Sequence, residues 1–112
     1  MAEFHYDIAK VCEELHVRSE ILEKLLKSFS GTLSQKIAQL DELVPLQDID
    51  KIRAIMHEVK GTAGNLRLEK VYRTADTMHA AVKEDQPQEK IVELFNIFKE
   101  ESNLFFNHMN KE

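Results

Sequence analysis

Residues 19–44, SEILEKLLKSFSGTLSQKIAQLDELV, form the longest stretch of the chain that keeps one periodicity throughout. Its apolar residues recur every three or four positions, at Leu22, Leu25, Leu26, Phe29, Leu33, Ile37, Leu40 and Val44. This spacing places the apolar side chains on one face of an α-helix, whereas in a strand they would alternate. The stretch therefore predicts one long amphipathic helix, with Ser19 as its N-cap and Pro45 as its end.

The same helical spacing continues on both sides of this stretch, and no segment shows the alternation of a half-buried strand. We expect further helices over about residues 7–15, 48–64, 69–84 and 87–109, with a turn over about 16–18. Asp48 is placed to cap the third of the five helices. Short connections make sequence neighbours antiparallel. The pattern therefore predicts an all-α fold, an up-and-down four-helix bundle with a short N-terminal helix packed on one end.

Length and charge narrow the possible functions. A chain of 112 residues with 43% hydrophobic residues suits one domain, spanning residues 1–112. Fifteen basic and twenty acidic side chains give a net charge of −5, which disfavours nucleic acid and anionic membrane as partners. The apolar runs are too short for a membrane span or a secretory signal. The single cysteine, Cys12, can form neither an intramolecular disulfide nor a thiolate zinc site. We expect a cytoplasmic protein.

The third predicted helix carries a polar strip centred on His57. Helical rotation places Arg53, Lys60, Gly61 and Gly64 within about 60° of His57. The apolar residues of this helix fall on the opposite side, at Ile52, Ile55, Met56, Val59, Ala63 and Leu66. His57 is therefore expected to point away from the core.

The two glycines of this strip need an explanation, because each costs a helix roughly 1 kcal/mol relative to alanine. For Gly61 we favour a steric reason, in which the missing Cβ lets another protein approach His57. For Gly64 we favour the end of the helix. A neutral imidazole is a nucleophile near neutral pH, and Lys60 one turn away can offset the charge of a phosphoryl group.

The segment His57-Glu58-Val59-Lys60-Gly61, followed by Asn65-Leu66, resembles the His-x-x-Lys-Gly motif of bacterial histidine phosphotransfer (HPt) domains. The resemblance implies that His57 is phosphorylated, that Lys60 is an electrostatic neighbour of the phosphoryl group, and that Gly61 leaves the gap for the partner.

The candidate partner surface adds Arg53, Gly64 and Arg67 to this motif. The chain departs from the family at Arg67, where a glycine is common. We therefore expect the link between the third and fourth helices to run differently, with Arg67 reaching toward the site.

The resemblance also implies a phosphoryl carrier without kinase activity of its own. The sequence contains no GxGxxG or GxxxxGK[ST] phosphate-binding loop. The expected partners are response-regulator receiver domains or a hybrid sensor kinase, and the chain is expected to be a monomer. It should need no cofactor, with magnesium expected only on the partner receiver domain.

Three alternatives remain at this stage. The phosphoacceptor hairpin of a sensor kinase has a His-Glu-x-x-x-Pro box, but Thr62 stands where that proline would be. A di-metal carboxylate bundle needs two Glu-x-x-His motifs, and only Glu13 and His16 form one. The third alternative is a helical adaptor that never sees phosphate. The remaining histidines are interpreted as solvated or packed side chains: His5, His79 and His108.

Overall fold

The computed structural model describes residues 4–111, and within this range every regular element is an α-helix. The helices are α1 (Ile8–Leu15), α2 (Ser19–Leu46), α3 (Ile49–Asn65), α4 (Glu69–Lys83) and α5 (Gln88–Asn110). The prediction of an all-α fold is confirmed. The predicted boundaries lie within two residues of the observed ones.

Two predictions about the ends of α2 were wrong. Arg18, not Ser19, is the N-cap, and it makes no side-chain capping bond. Pro45 lies inside the last turn, and the helix continues to Leu46. A proline this close to the end removes one backbone hydrogen bond without interrupting a long ladder. The chain then leaves the helix through Gln47, whose N–H donates to the Val44 carbonyl at 3.0 Å.

The core lies between the four long helices. Contacts join α2 to α3, α3 to α4, α4 to α5 and α5 back to α2, so the ring of helices is closed. The largest fully buried side chains include Phe98, Phe105, Leu22, Leu33 and Met56. Burial of these apolar faces is the main driving force for the fold.

The N-terminal segment and α1 are anchored at the end of the molecule where α3 connects to α4. The Tyr6 hydroxyl donates to the Leu66 carbonyl at 2.7 Å, and Arg67 Nε lies 3.2 Å from Glu14 Oε1. At the start of α5, Gln88 Nε2 donates to the Val44 carbonyl near the end of α2, at 2.8 Å. These two hydrogen bonds and the ion pair hold particular helix ends next to each other.

Four helices end in the same way, each with a non-glycine residue in the left-handed region. These residues are His16, Gln47, Arg67 and Asp85, with φ between 54° and 61°. After α3, Arg67 N–H donates to the Gly64 carbonyl and Leu68 N–H to the Ala63 carbonyl, which is the Schellman pattern. The link after α3 therefore keeps the left-handed turn that glycine would favour, and the expectation of a different path was wrong. Backbone hydrogen bonds at the turn hold the arginine in this conformation.

Candidate functional site

The rotation of α3 is set by its two ends and its buried face. The Asp48 side chain caps the helix, as predicted, by accepting from Lys51 N–H at 3.4 Å. The residues buried on the opposite side are Ile52, Ile55, Met56, Val59 and Ala63. With this face in the core, His57 is exposed to solvent, as the helical periodicity indicates.

Residues of α3 and α4 meet in three successive layers along the polar strip. The His57 and His79 rings lie side by side in a tilted arrangement, with their centroids 5.8 Å apart and an interplanar angle of 41°. One turn further along α3, Lys60 Nζ lies 3.1 Å from Asp76 Oδ1. One more turn along, the Tyr72 ring lies over Gly64. The order of these pairs shows that α3 and α4 run antiparallel.

The charges of this strip act on His79. Burial lowers the pKa of His79, and the charges of Lys60, His57 and Arg53 lower it further, in that order. Asp76 acts in the opposite direction and raises the pKa of His79. A lowered pKa keeps the His79 imidazole neutral at neutral pH, so His57 faces an uncharged ring.

The two glycines of the strip have different surroundings. A Cβ placed on Gly61 would meet no atom within 4 Å beyond its own helix, so this side of His57 is open. A Cβ placed on Gly64 would lie 3.1 Å from Tyr72 Cδ1 and 3.3 Å from Cε1. The helix-end explanation of Gly64 was wrong, because α3 continues to Asn65 and no glycine within residues 4–111 has a positive φ. The missing side chain at Gly64 instead lets the Tyr72 ring pack against α3 at this position.

The two arginines of the candidate partner surface lie at different ends of α3. Arg53 is exposed, one turn before His57, and close enough for its charge to act on His79. Arg67 lies at the far end of α3, where its guanidinium bonds Glu14 and donates to the Gly64 and Asn65 carbonyls. The side chain is therefore held toward α1, and the expectation that Arg67 reaches toward His57 was wrong.

On the side of His57 that faces away from α4, a shallow groove lies between α2 and α3. Its apolar floor contains Leu43, Ala54 and Ile55, and it has a volume of about 390 Å³. Lys36 and Glu58 border it with an ion pair of 3.2 Å. His57 therefore lies between this groove on one side and the residues of α4 on the other.

The α4 residues of the site were not predicted from the sequence. His79 was interpreted as an ordinary solvated or packed side chain, and Asp76 and Tyr72 were not among the candidate site residues. A signal was available, since residues equally distant from a tight turn meet across an antiparallel helix pair. Counting outward from residue 68, at the end of the turn, pairs His79 with His57 and Asp76 with Lys60.

Other kinds of site find little support in the part of the chain that the structure describes. Across residues 4–111, no three side chains of His, Cys, Asp or Glu are grouped to hold a metal ion. His16, needed for the di-metal alternative, occupies the left-handed turn after α1. None of the described helices combines the length and the apolar character that a membrane span requires.

Comparison with known families identifies the chain. The sequence matches the Hpt domain over residues 24–107, a range that includes α3, α4 and most of α2 and α5. Comparisons with curated proteins and with solved structures give no match. The match covers most of the chain and contains the strip around His57. This protein therefore belongs to the Hpt domain family, whose members carry out histidine phosphotransfer in phosphorelays and interact with receiver domains of two-component systems.

Proposed function

We propose that this chain is a phosphorelay intermediate that accepts a phosphoryl group on His57 from a receiver-domain aspartate, or from a kinase, and passes it to another receiver. The observation that supports this assignment is the exposure of His57 on a face where Lys60 supplies positive charge and Gly61 leaves room. Family membership supports the reaction class.

The proposed step is an in-line displacement at phosphorus. The unprotonated Nε2 of His57 attacks the phosphorus of the aspartyl phosphate, so a P–N bond forms. The P–O bond to the aspartate breaks, and the carboxylate leaves with the electron pair. The proton on Nδ1 passes to solvent when the phosphorylated ring returns to its neutral form. The reverse sequence on a second receiver returns the imidazole to its starting state.

The neighbours of His57 contribute position and charge. Lys60, one turn along α3, partly neutralises the phosphoryl group, while Arg53 on the other side adds a second cation. The neutral His79 ring lies beside His57 without adding charge. The open surface at Gly61 and the groove beside Ile55 receive the partner.

Further properties of the chain follow from this role. The chain is a carrier without kinase activity of its own, it acts as a monomer in the cytoplasm, and its partners are receiver domains or a hybrid sensor kinase. It needs no cofactor, because magnesium is supplied by the receiver. We further infer that the long helices form an up-and-down four-helix bundle with α1 packed on one end, which the closed ring of helix contacts supports.

The test is phosphoryl acceptance by a variant that lacks the nucleophile. His57→Gln should abolish labelling by a phosphorylated receiver, while the fold changes little, because surface substitutions usually stay within about 0.5 kcal/mol. The measurement is acid-labile, alkali-stable label mapped to a single residue, with circular dichroism as the fold control.

His16→Gln and His108→Gln are the matched controls, and both should accept label normally. His79→Gln is less suitable as a control because its ring contacts His57. Labelling of the His57 variant at the wild-type rate would show that another residue carries the phosphoryl group. An adaptor that never sees phosphate would leave the wild-type chain unlabelled.

A further inference from the structure

The ion pair between Lys60 and Asp76 involves the cation that the proposed function places beside the phosphoryl group. Lys60 Nζ donates to Asp76 Oδ1 at 3.1 Å. The Lys60 side chain is 25% exposed and the Asp76 side chain 48%, so the pair lies between α3 and α4, with the carboxylate nearer to solvent. Before any phosphoryl group arrives, the charge of Lys60 already has a counterion.

Asp76 is connected to the reacting imidazole through His79. It is three residues before His79 on α4, so the two side chains project from the same face of the helix, one turn apart. His79 in turn contacts the His57 ring, and Asp76 acts electrostatically on His79. The Asp76 carboxylate therefore acts electrostatically on the side of His57 that faces α4.

We propose that Asp76 is a positioning residue for phosphoryl transfer, one that holds the Lys60 ammonium between α3 and α4 and weakens retention of the phosphoryl group on His57. This inference rests on the proposed role of His57. A phosphoryl group on His57 carries between one and two negative charges. Lys60 must then divide its charge between this group and Asp76, while the Asp76 carboxylate repels the new anion.

This arrangement suits a carrier rather than a final acceptor. A lysine without a counterion would favour the phosphorylated state of His57 and slow onward transfer. With Asp76 present, the lysine is held in place while its net attraction for the phosphoryl group is reduced. Asp76 thereby moves the exchange equilibrium toward the receiver.

The decisive variant is Asp76→Asn, because an amide oxygen can still accept a hydrogen bond from Lys60 although the negative charge is gone. The chain, with phosphoramidate as the first donor, is mixed with an isolated receiver domain and magnesium, and the phosphorylated fraction of each protein is measured at equilibrium. We expect the exchange equilibrium to shift toward phosphorylated His57 by about three- to tenfold. Asp76→Glu, which keeps the charge, should stay close to wild type.

The chain contains a matched control for this experiment. Lys99 and Asp41 form a second inter-helix pair at 3.0 Å, with side-chain exposures of 33% and 52%. Asp41→Asn removes the same charge from a similar pair between α2 and α5, and it should leave the exchange equilibrium unchanged. An equal shift in both variants would show an effect of net charge and overturn the role of Asp76.

A second readout does not require phosphorylation. Since Asp76 raises the pKa of His79, Asp76→Asn should lower that pKa further in a nuclear magnetic resonance titration. A lower pKa together with the equilibrium shift supports the proposal. An unchanged equilibrium, or a shift toward the receiver, overturns it while leaving labelling of wild-type His57 intact. A wild-type chain that takes no label overturns both this inference and the proposed function.

Discussion

The exposed strip of α3 has two halves that differ in what surrounds them. Around Gly61, no atom beyond its own helix lies within 4 Å of the place where a side chain would begin. Around Gly64, the Tyr72 ring occupies that place, and Arg67 bonds the adjoining carbonyls. A motif that reads as one unit in the sequence therefore has an open half, which a partner can reach, and a closed half, which holds α3 against α4.

The difference shows that identical residues on one helix face can serve different purposes. Gly61 and Gly64 are three positions apart and project in similar directions, and both cost helix stability. What separates them is α4, which places a large aromatic ring over Gly64 and no atom within 4 Å of a Cβ at Gly61. Substitutions at the two positions should therefore affect different properties of the protein.

The largest expected effect is on phosphotransfer at the open half. Gly61→Gln should slow transfer from a phosphorylated receiver by about tenfold or more, because a small misplacement of the reacting groups strongly lowers the rate. The melting temperature should stay equal or rise, since glutamine is the better helix former. Both quantities can be measured on the same purified variant.

Gly31 provides the control for this substitution. It lies within α2, and a Cβ there would also meet no atom within 4 Å beyond its own helix. Gly31→Gln should therefore raise helix propensity equally and leave transfer unchanged. Normal transfer by the Gly61 variant would contradict the steric account of the open half.

The next effect is a difference in stability between the two halves. Gly61→Ala should raise the free energy of unfolding by roughly 1 kcal/mol. The free energy of unfolding of Gly64→Ala should rise by about 1 kcal/mol less than that of Gly61→Ala, because the new Cβ would lie 3.1 Å from Tyr72 Cδ1 and the ring would have to move. Urea unfolding of both variants measures the difference.

A double-mutant cycle with Tyr72→Ala sharpens this comparison. With the ring removed, Gly64→Ala should gain as much stability as Gly61→Ala. An unchanged gap between the two alanine variants would mean that Tyr72 is not the cause.

A smaller effect is expected at the end of the closed half. Arg67 has a φ of 61°, a conformation that costs a non-glycine residue about 1–2 kcal/mol. Arg67→Gly removes this strain and loses the partly exposed pair with Glu14, which contributes about 0–1 kcal/mol. It also loses the exposed hydrogen bonds to the Gly64 and Asn65 carbonyls, which offset part of the gain. The variant should be up to about 1 kcal/mol more stable by urea unfolding.

Phosphotransfer by the Arg67 variant tests its predicted place in the partner surface. Because the side chain is held toward α1, the transfer rate should stay within about twofold of wild type. A tenfold loss would restore Arg67 to that surface. Gln47→Gly, with a φ of 57° at the other end of the molecule, is the matched control for strain alone.

The smallest effect concerns the contact between Tyr6 and Leu66. Burial, with a smaller contribution from Cys12, raises the pKa of Tyr6 from 10.0 to about 12, and Arg67 opposes this rise. A raised pKa in the folded state means that the unfolded chain ionises first, so stability falls as the pH rises from about 10 to 12. In Tyr6→Phe no hydroxyl ionises at this position, so the decrease in stability caused by Tyr6 should be absent. At neutral pH its free energy of unfolding should be lower than that of wild type by less than about 1 kcal/mol. Melting temperatures at pH 7 and near pH 11 test it.

Much of the fold could be predicted because each helix carries its own signals. Apolar periodicity marks the buried face of α2, Asp48 caps α3, and Pro87 precedes α5. The errors fell at helix ends, where Pro45 is tolerated in a last turn and Arg67 takes a position suited to glycine. At such ends a few backbone hydrogen bonds outweigh the local preference of the residue.

The sequence by itself determined the elements of the site that lie on one helix. Because rotation along α3 follows from residue number, the exposure of His57 and its proximity to Lys60 and Gly61 need no knowledge of the other helices. Only the tertiary structure decided what lies opposite them. It places His79 against His57, Asp76 against Lys60 and Tyr72 over Gly64. These pairs depend on the register between α3 and α4, which is set by core packing and the turn between the helices.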